Sequence, residues 1–384
     1  MKALVLGIGL QGRAVVHDLD RCGFEVIAAD VDAGAVSKSL EQLGCSKARA
    51  VSLDVARGEQ LHAFVRDTAP SVVVCMVPPA FQEQVAQAAL DAGAHFVSSS
   101  YTGPVASLDA QARARGLVML PEIGLDPGID LVMAHSVLSE FDEVVGLHMY
   151  GGGIPEAGAD DNPLRYKVTW TFEGVLGAYK RPAKLLREGV EVSIDGERIF
   201  RPENTSTIDV PGLGPLEAYP NGDAVHYASL FGLGPSLRDL GRFALRWPGH
   251  CAFWSTVAAL GFLRDEPIAV DGVQVPPRKF VARLLEPQLR FADQERDLAI
   301  LRVRAWGTRR GKPHEVTLDL IDRRDLSTGL YAMNRTVGYS ASIGAQMILR
   351  GEITAPGVLN PARDIPIEPF FKELRARGME LVRR

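Results

Sequence analysis

Cysteine is scarce in this chain of 384 residues, and its cysteines follow neither the spacing of a metal site nor that of a disulfide framework. There are four, with no Cys-x-x-Cys pair among them: Cys22, Cys45, Cys75 and Cys251. Cys75 lies in an apolar run that is typical of a buried strand. We therefore expect reduced cysteines in a cytoplasmic protein, and no bound metal.

Excess charge of one sign and long apolar runs are also lacking. The formal net charge is −5 with both signs interspersed, which gives no basic stripe for nucleic acid or an anionic membrane. No apolar stretch approaches the length that spans a bilayer, and the first one breaks at Gly7, too early for a signal peptide. With 46% hydrophobic and 23% charged residues, the composition is that of a globular enzyme with room for two domains.

The first 30 residues have the pattern of a dinucleotide-binding unit. An apolar strand at 3–6 leads into a Gly-x-Gly-x-x-Gly turn, a helical pattern and a second strand. The glycines permit a sharp bend, close approach of a pyrophosphate and tight packing of the helix on the strand. Helix amides at this turn can hold the anion. We predict cofactor contacts from five turn residues: Gly7, Gly9, Leu10, Gln11 and Gly12. The alternative is a domain of this fold whose dinucleotide site has lapsed.

An acid at the end of the second strand suggests which dinucleotide is bound. Asp30 lies 18 residues beyond Gly12, where a carboxylate can accept hydrogen bonds from both ribose hydroxyls and repel a 2′-phosphate. We therefore expect NAD rather than NADP, with Asp32 as the second candidate for this role.

Strands and helices continue to alternate through the first third of the chain, which predicts a Rossmann-type doubly wound parallel sheet. A short strand ends at Asp54, which either reaches the adenine or is an ordinary surface aspartate. The most strand-like run, 71–77, stops at Pro78, since proline cannot continue a ladder. Val77 and Pro78 would then lie at the carboxyl edge of the sheet, where ligands bind in this architecture.

Beyond a glycine-rich hinge, the pattern changes to alternating strands between about 144 and 333, typical of a mixed, largely antiparallel sheet. We expect an α/β protein with two domains. Residues 1–126, completed by helices in 334–384, bind the dinucleotide. Residues 127–333 form an α+β domain for substrate binding and dimerisation, so a homodimer is expected.

Several segments, taken in order, closely resemble the saccharopine dehydrogenase (saccharopine reductase) family. They are Ser-Ser-Ser-Tyr at 98–101, Glu-Ile-Gly-Leu-Asp-Pro-Gly-Ile-Asp at 122–130, Gly-Gly-Gly-Ile-Pro at 151–155, Asp-Asn-Pro-Leu-Arg-Tyr-Lys-Val-Thr-Trp at 161–170, Glu-Gly-Val-Leu at 173–176, Ala-Tyr-Pro-Asn at 218–221 and Thr-Val-Gly-Tyr-Ser-Ala-Ser at 336–342. The chain length and Gly-Pro-Leu-Glu-Ala at 214–218 are also similar to lysine 6-dehydrogenase, a close relative.

The resemblance implies a dehydrogenase that acts on the C–N bond of an amino-acid amine. Hydride passes to the nicotinamide, and water then hydrolyses the imine. Saccharopine is the expected substrate, with glutamate as a product, or the enzyme runs in reverse as a reductase. The alternative is lysine 6-dehydrogenase, which releases ammonia. A more remote alternative is a non-catalytic dinucleotide sensor.

The resemblance implies that two residues, Tyr101 and Asp126, match polar positions that order a water in the saccharopine enzymes, and the chemistry requires a basic group beside them. Tyr101 and Asp126 follow two strands at the cofactor edge, although each has a structural alternative, a core tyrosine and a turn aspartate. Lys167 is the basic candidate, because a lysine beside a cationic intermediate can have a lowered pKa and shuttle a proton. Its alternative is an ordinary surface lysine.

Substrate carboxylates require cations, for which we name Arg165, Arg242 and Arg246. Arg242 and Arg246 are four residues apart in a possible helix, where they would share a face. Two further residues of the resembling segment, Asn162 and Trp170, would line the site. We expect His250 to be a core histidine.

The chain departs from the family pattern at two positions. Gly151 replaces the cysteine of a Tyr-Cys-Gly-Gly segment, and Arg165 replaces a glycine before Tyr-Lys. Either change could indicate a different amine substrate. The lysine enzyme commonly lacks an acid at the position of Asp126, which places this chain nearer the saccharopine enzymes.

Overall fold

The computed structural model describes residues 1–384, which divide into two compact units. Unit 1 contains Met1–His135 and Met333–Glu380, and unit 2 contains Ser136–Ala332 and Leu381–Arg384.

Eighteen strands occur along the chain. In chain order they are β1 (Lys2–Leu6), β2 (Glu25–Asp30), β3 (Ala48–Ser52), β4 (Val72–Cys75), β5 (His95–Ser98), β6 (Val118–Leu120), β7 (Glu143–Pro155), β8 (Ala183–Arg187), β9 (Val190–Ile194), β10 (Ser206–Val210), β11 (Gly214–Pro220), β12 (Asp239–Arg246), β13 (Ile268–Val270), β14 (Val273–Val275), β15 (Asp297–Arg309), β16 (Lys312–Arg323), β17 (Gly357–Val358) and β18 (Leu381–Arg383).

Twelve α-helices accompany these strands. They are α1 (Gly12–Arg21), α2 (Ala33–Gln42), α3 (Gly58–Thr68), α4 (Gln82–Asp91), α5 (Asp109–Arg115), α6 (Ile129–Leu138), α7 (Phe172–Ala178), α8 (His226–Leu230), α9 (His250–Ala259), α10 (Pro277–Leu285), α11 (Ala332–Leu349) and α12 (Ile367–Ala376).

Unit 1 is built on a seven-stranded parallel sheet in the order β17-β6-β5-β4-β1-β2-β3. The four residues of β4 are completely or almost completely buried, as their unbroken apolar sequence predicts for a strand covered on both faces. Strand order reverses between β1 and β4, which is where ligands bind in doubly wound sheets. The predicted Rossmann-type fold is confirmed.

Helices after residue 331 complete unit 1. Gly338 of α11 packs so closely on α1 that an added Cβ would lie 2.7 Å from the Ala14 Cβ. Beyond α12, Arg377 pairs with the buried Asp18 of α1 at 2.7 Å. Residues 127–135, which we expected in the second domain, group with unit 1, and residues 381–384 group with unit 2 because β18 pairs with β16.

Unit 2 is built on a mixed sheet whose main path is β10-β11-β12-β7-β15-β16-β18, with β8 and β9 attached through β12. Only the β12–β7 pair is parallel. The predicted α+β domain with a largely antiparallel sheet is therefore confirmed. A separate two-stranded sheet pairs β13 with β14.

Candidate functional site

The glycine turn between β1 and α1 has no room for side chains at two of its three glycines. Gly7 has φ of +87°, and a Cβ on it would lie 2.8 Å from the backbone of Met76 and Val77. A Cβ on Gly12 would lie 1.8 Å from the Gly7 carbonyl oxygen. These contacts place Val77, and Pro78 after it, beside the turn, as the sequence predicts.

Gly9 differs from the other two glycines, because nothing lies within 4 Å of a Cβ built there. The neighbouring Leu10 is half-buried, and Gln11 is the N-cap of α1 without a side-chain bond to the helix. Open space in front of a helix N-terminus, at the point where the strand order reverses, fits a dinucleotide pyrophosphate.

The acids of the neighbouring strand ends have partners within the protein. Asp30 Oδ2 accepts a hydrogen bond from Ile8 N, and its Oδ1 accepts one from Val31 N, both at 2.7 Å. Asp32 caps α2 by accepting from Ala35 N at 2.9 Å. Asp54 accepts from Ala56 N at 3.0 Å just after β3. Each acid therefore has a structural task, whatever else it binds.

Two loops that follow β5 and β6 run side by side and carry Tyr101 and Asp126. Glu122 N donates to Ser100 O at 2.9 Å, and Ile123 N donates to Ser98 O at 3.0 Å. Tyr101 is 38% exposed, so it is not the core tyrosine of the structural alternative. Asp126 is half-buried and precedes Pro127 in a turn closed by a bond from Gly124 N to Pro127 O.

Sequence reasoning gave no role to Glu122, which lies in the second of these loops. Its side chain is only 2% exposed, and its carboxylate accepts hydrogen bonds from Thr102 and Asn360. The available signal was an acid two residues after a buried strand, and its partner Asn360 could not be identified from sequence spacing.

Lys167 lies in unit 2 and is clamped by carboxylates. Its side chain is 5% exposed, and its Nζ lies 2.7 Å from both oxygens of Glu295 and 2.8 Å from Asp161 Oδ1. Burial by itself lowers the pKa of Lys167, but the hydrogen bonds to Asp161 and Glu295 outweigh it, so the pKa is raised. The lowered pKa that we expected is wrong, because two acids stabilise the ammonium form.

The loop before Lys167 holds the other residues of the family segment. Asn162 is used within the loop, since its Nδ2 donates to Tyr166 O at 2.9 Å and its Oδ1 accepts from Leu164 N at 3.1 Å. Arg165 has φ of 47°, donates to Asp160 at 2.7 Å and lies over the Trp247 ring. Trp170 is 37% exposed just before α7.

Arg242 and Arg246 lie on strand β12 and not on a helix, which corrects our expectation. They still share a face, because side chains alternate along a strand and residues four apart point the same way. Arg242 is 1% exposed and lies 4.7 Å from the centre of the Tyr227 ring.

Arg246 is a buried cation without a carboxylate partner. It is 8% exposed, and its guanidinium lies 5.1 Å and 5.8 Å from the ring centres of Tyr166 and Tyr219. Its Nη1 donates to Leu245 O at 2.7 Å, but its buried Nε has no acceptor. Burial raises the pKa of both tyrosines, which are therefore neutral. A guanidinium with an unsatisfied Nε in a neutral aromatic box is suited to hold an anion.

His250 is buried beside this box and lies 2.8 Å, through its Nε2, from the Tyr179 hydroxyl. Burial, helped by Arg246, holds the pKa of His250 well below its usual range. It is thus a neutral, hydrogen-bonded core histidine, in agreement with our interpretation.

No helix in the chain combines the length and the apolar character needed to cross a membrane. The cytoplasmic location stays a prediction.

Comparisons with known proteins cover nearly the whole chain. Residues 3–120 match the family described as the saccharopine dehydrogenase NADP binding domain, and residues 124–379 match the saccharopine dehydrogenase C-terminal domain. Mitochondrial alpha-aminoadipic semialdehyde synthase of Bos taurus is 27% identical over 98% of this chain and 47% of its own length. The chain thus spans about half of that relative.

One yeast sequence and one solved yeast structure are similar to this chain over nearly their full lengths. Saccharopine dehydrogenase (NADP(+), L-glutamate-forming) of Saccharomyces cerevisiae is 26% identical over 97% of this chain and 96% of its own length. The solved apo structure of saccharopine dehydrogenase (L-Glu forming) from the same organism has a TM-score of 0.86 at 25% identity, covering 100% of this chain and 99% of that chain.

These findings correct the cofactor prediction. The matched domain is described as NADP binding, and the yeast relative is named for NADP(+), so our preference for NAD is wrong. The physical reason lies in Asp30, whose two oxygens accept backbone hydrogen bonds from the turn and from Val31. An acid is needed at this position to hold the turn, so its presence does not indicate whether the bound ribose carries a 2′-hydroxyl or a 2′-phosphate. By its matched domains, the chain belongs to the saccharopine dehydrogenase family.

Proposed function

We propose that this protein is an NADP-dependent saccharopine dehydrogenase that forms L-glutamate. Saccharopine would lose a hydride from the carbon beside its secondary amine, and water would then split the resulting imine into glutamate and aminoadipate semialdehyde. The end-to-end similarity to the yeast enzyme named for this reaction supports the proposal.

The observation that carries the proposal in this chain is Arg246. A buried guanidinium whose Nε has no acceptor is costly to keep, and a substrate carboxylate would satisfy it. Arg242 points to the same face of β12. Two arginines on one face favour saccharopine over lysine, because saccharopine carries more carboxylates. The same observation argues against a sensor that binds the dinucleotide alone.

The glycine turn would hold NADP, which supplies the hydride acceptor. Gly7 and Gly12 keep the turn tight, and the open side of Gly9 lets the backbone approach the pyrophosphate. Asp30 acts here by fixing the amide of Ile8 and the end of β2.

Tyr101 and Asp126 would orient the attacking water and exchange protons with it. The support is their place on adjoining loops at the carboxyl ends of β5 and β6, with the Tyr101 ring exposed. Lys167 would act as a fixed positive charge that holds Asp161 and Glu295, because its raised pKa makes it a poor base.

The experiment is steady-state kinetics on purified protein with saccharopine and NADP(+). Tyr101→Phe and Asp126→Asn should each lower kcat by about 100-fold, the lower range for loss of proton transfer, while NADPH affinity stays unchanged. Arg304→Met is a suitable control, because Arg304 pairs with the exposed Glu315 at the surface. Unchanged kcat in both test variants would refute the assigned roles.

We also propose that unit 2 forms the predicted homodimer through the β13–β14 hairpin. Four β-branched residues share one face of this hairpin, and three of them are 47–62% exposed: Ile268, Val270 and Val273. A two-stranded sheet needs its apolar face covered to be stable, and a second copy offers the same face across a two-fold axis. Val273→Lys should yield monomers in sedimentation velocity, whereas Ala269→Lys, on the opposite face, should not. A monomeric wild type would contradict this proposal.

A further inference from the structure

Glu122 combines two unfavourable features. Its side chain is 2% exposed, and its backbone adopts φ of 61°, a left-handed conformation that side-chain-bearing residues rarely take. Burying a carboxylate is costly unless donors surround it. Such a residue persists where its surroundings hold it in place, often at a functional site.

The donors come from two other segments of unit 1. Glu122 Oε1 accepts from the Thr102 amide at 2.9 Å and from the Thr102 hydroxyl at 2.7 Å. Its Oε2 accepts from Asn360 Nδ2 at 3.3 Å. Glu122 N also donates to Ser100 O at 2.9 Å. One residue therefore ties the loop after β5 to the loop after β6 and to the segment after β17.

These bonds fix the backbone on both sides of Tyr101. Ser100 and Thr102 are bound by Glu122, and the carbonyl of Tyr101 accepts from Gln82 Nε2 at 2.9 Å. Gln82 is itself held by the Ser98 hydroxyl, which donates to Gln82 Oε1 at 3.0 Å. Three successive residues are thus anchored, while the ring of the middle one is 38% exposed. The anchored backbone therefore fixes the point from which this ring projects.

We propose that Glu122, completed by Asn360, is the positioning residue for Tyr101. It acts through the backbone of Ser100, Tyr101 and Thr102, and it sets where the phenol lies relative to the reacting carbon. The inference rests on the proposed function, because that function gives Tyr101 its task.

The first test replaces the acid by its amide. In Glu122→Gln the new amide group faces Asn360 Nδ2, so two donors oppose each other. Asn360 cannot simply flip, because its Oδ1 accepts from Ala362 N at 2.9 Å. We expect kcat to fall by about 10- to 100-fold, the scale of a small misplacement, with KM and NADPH affinity within about threefold.

The matched rescue exchanges the acid and the amide. When Glu122→Gln is combined with Asn360→Asp, the side-chain amide introduced at position 122 can donate to the new carboxylate, which still accepts from Ala362 N, and the net charge is conserved. Most of the lost kcat should return. Failure to recover in a double variant that unfolds at the wild-type temperature would overturn the proposal.

A double-mutant cycle separates positioning from general structural support. If Glu122 acts through Tyr101, Glu122→Gln should lower kcat by no more than about twofold in a Tyr101→Phe background, because the effects of residues that act through one hydrogen-bond network are not additive. Equal losses in both backgrounds would contradict the inference. A milder comparison uses Thr102→Val and Thr102→Ser. Only the valine variant loses the hydroxyl that donates to Glu122, so only its kcat should fall.

Amide hydrogen exchange at Thr102 gives a readout that needs no turnover. The wild-type amide should be protected, Glu122→Gln should speed its exchange, and the Asn360→Asp rescue should slow it again. If wild type does not turn over saccharopine, the proposed function fails, and the exchange rates still decide this inference. Unchanged exchange in Glu122→Gln, or faster exchange with unchanged kcat in an active enzyme, would refute it.

Discussion

Replacing Arg246 by methionine should remove substrate binding without unfolding the protein. Methionine fills a similar volume, and the site would lose a charge that has no carboxylate partner. Removing one member of a buried ion pair normally lowers the free energy of unfolding by about 3–5 kcal/mol, because the other charge is left buried and unpaired. Removal of Arg246 leaves no buried carboxylate unpaired.

The expected change in stability is the difference between two opposing contributions. Relief of the desolvated guanidinium is favourable by several kcal/mol. Against it stand the contacts with the rings of Tyr166 and Tyr219, worth up to about 2 kcal/mol each when desolvated, and the hydrogen bond from Nη1 to Leu245 O, worth about 1.5–3 kcal/mol. These nearly cancel, so the free energy of unfolding of Arg246→Met should lie within about 1 kcal/mol of wild type. Two charged hydrogen bonds to a carboxylate, at about 1.5–3 kcal/mol each, imply at least a hundredfold weaker saccharopine binding.

Thermal unfolding with and without saccharopine measures both quantities. A ligand that binds the native state raises the wild-type Tm, and this shift should vanish in Arg246→Met while its Tm without ligand stays close to wild type. Arg304→Met, at an arginine whose side chain is 45% exposed, should keep the shift. Wild-type saccharopine affinity in Arg246→Met, or a loss of about 3–5 kcal/mol in stability, would refute the anion-site reasoning.

Further predictions concern the turn and the pH dependence of stability. Gly12→Ala should weaken NADPH binding and lower Tm, because its Cβ would lie 1.8 Å from the Gly7 oxygen, whereas Gly9→Ala should keep Tm and lose only NADPH affinity; fluorescence titration and thermal unfolding check this. Hydrogen bonds from Arg383 lower the pKa of Glu140 in the folded protein. The ionised Glu140 therefore stabilises the fold fully at pH values above the unfolded-state pKa of about 4.3, and this stabilisation is lost as the pH falls through the lower pKa of the folded state. Urea unfolding should show Glu140→Gln destabilised at neutral pH, with the difference closing in acid; a constant difference would contradict the assignment.

The sequence predicted the parallel sheet well, because its signals are local. The buried run of β1, the glycine turn and the prolines after β4 each act within a few residues of chain. The segment of strand β12 was considered a possible helix, since two arginines four residues apart share a face in either structure.

The site was less predictable, because its partners are distant in sequence. Glu295, which together with Asp161 stabilises the charged form of Lys167, lies 128 residues away from it. Asn360 lies 238 residues from Glu122. Asp30 shows the opposite case, in which a local motif was visible but its backbone partners, and hence its structural task, were not.

Product analysis tests the proposed function most directly. Purified protein is incubated with saccharopine and NADP(+), nicotinamide reduction is followed by absorbance, and the released amine is identified. We predict NADPH and glutamate in equal amounts, with no reduction when lysine replaces saccharopine. Ammonia released from lysine, or no reduction with saccharopine, would contradict the proposed function.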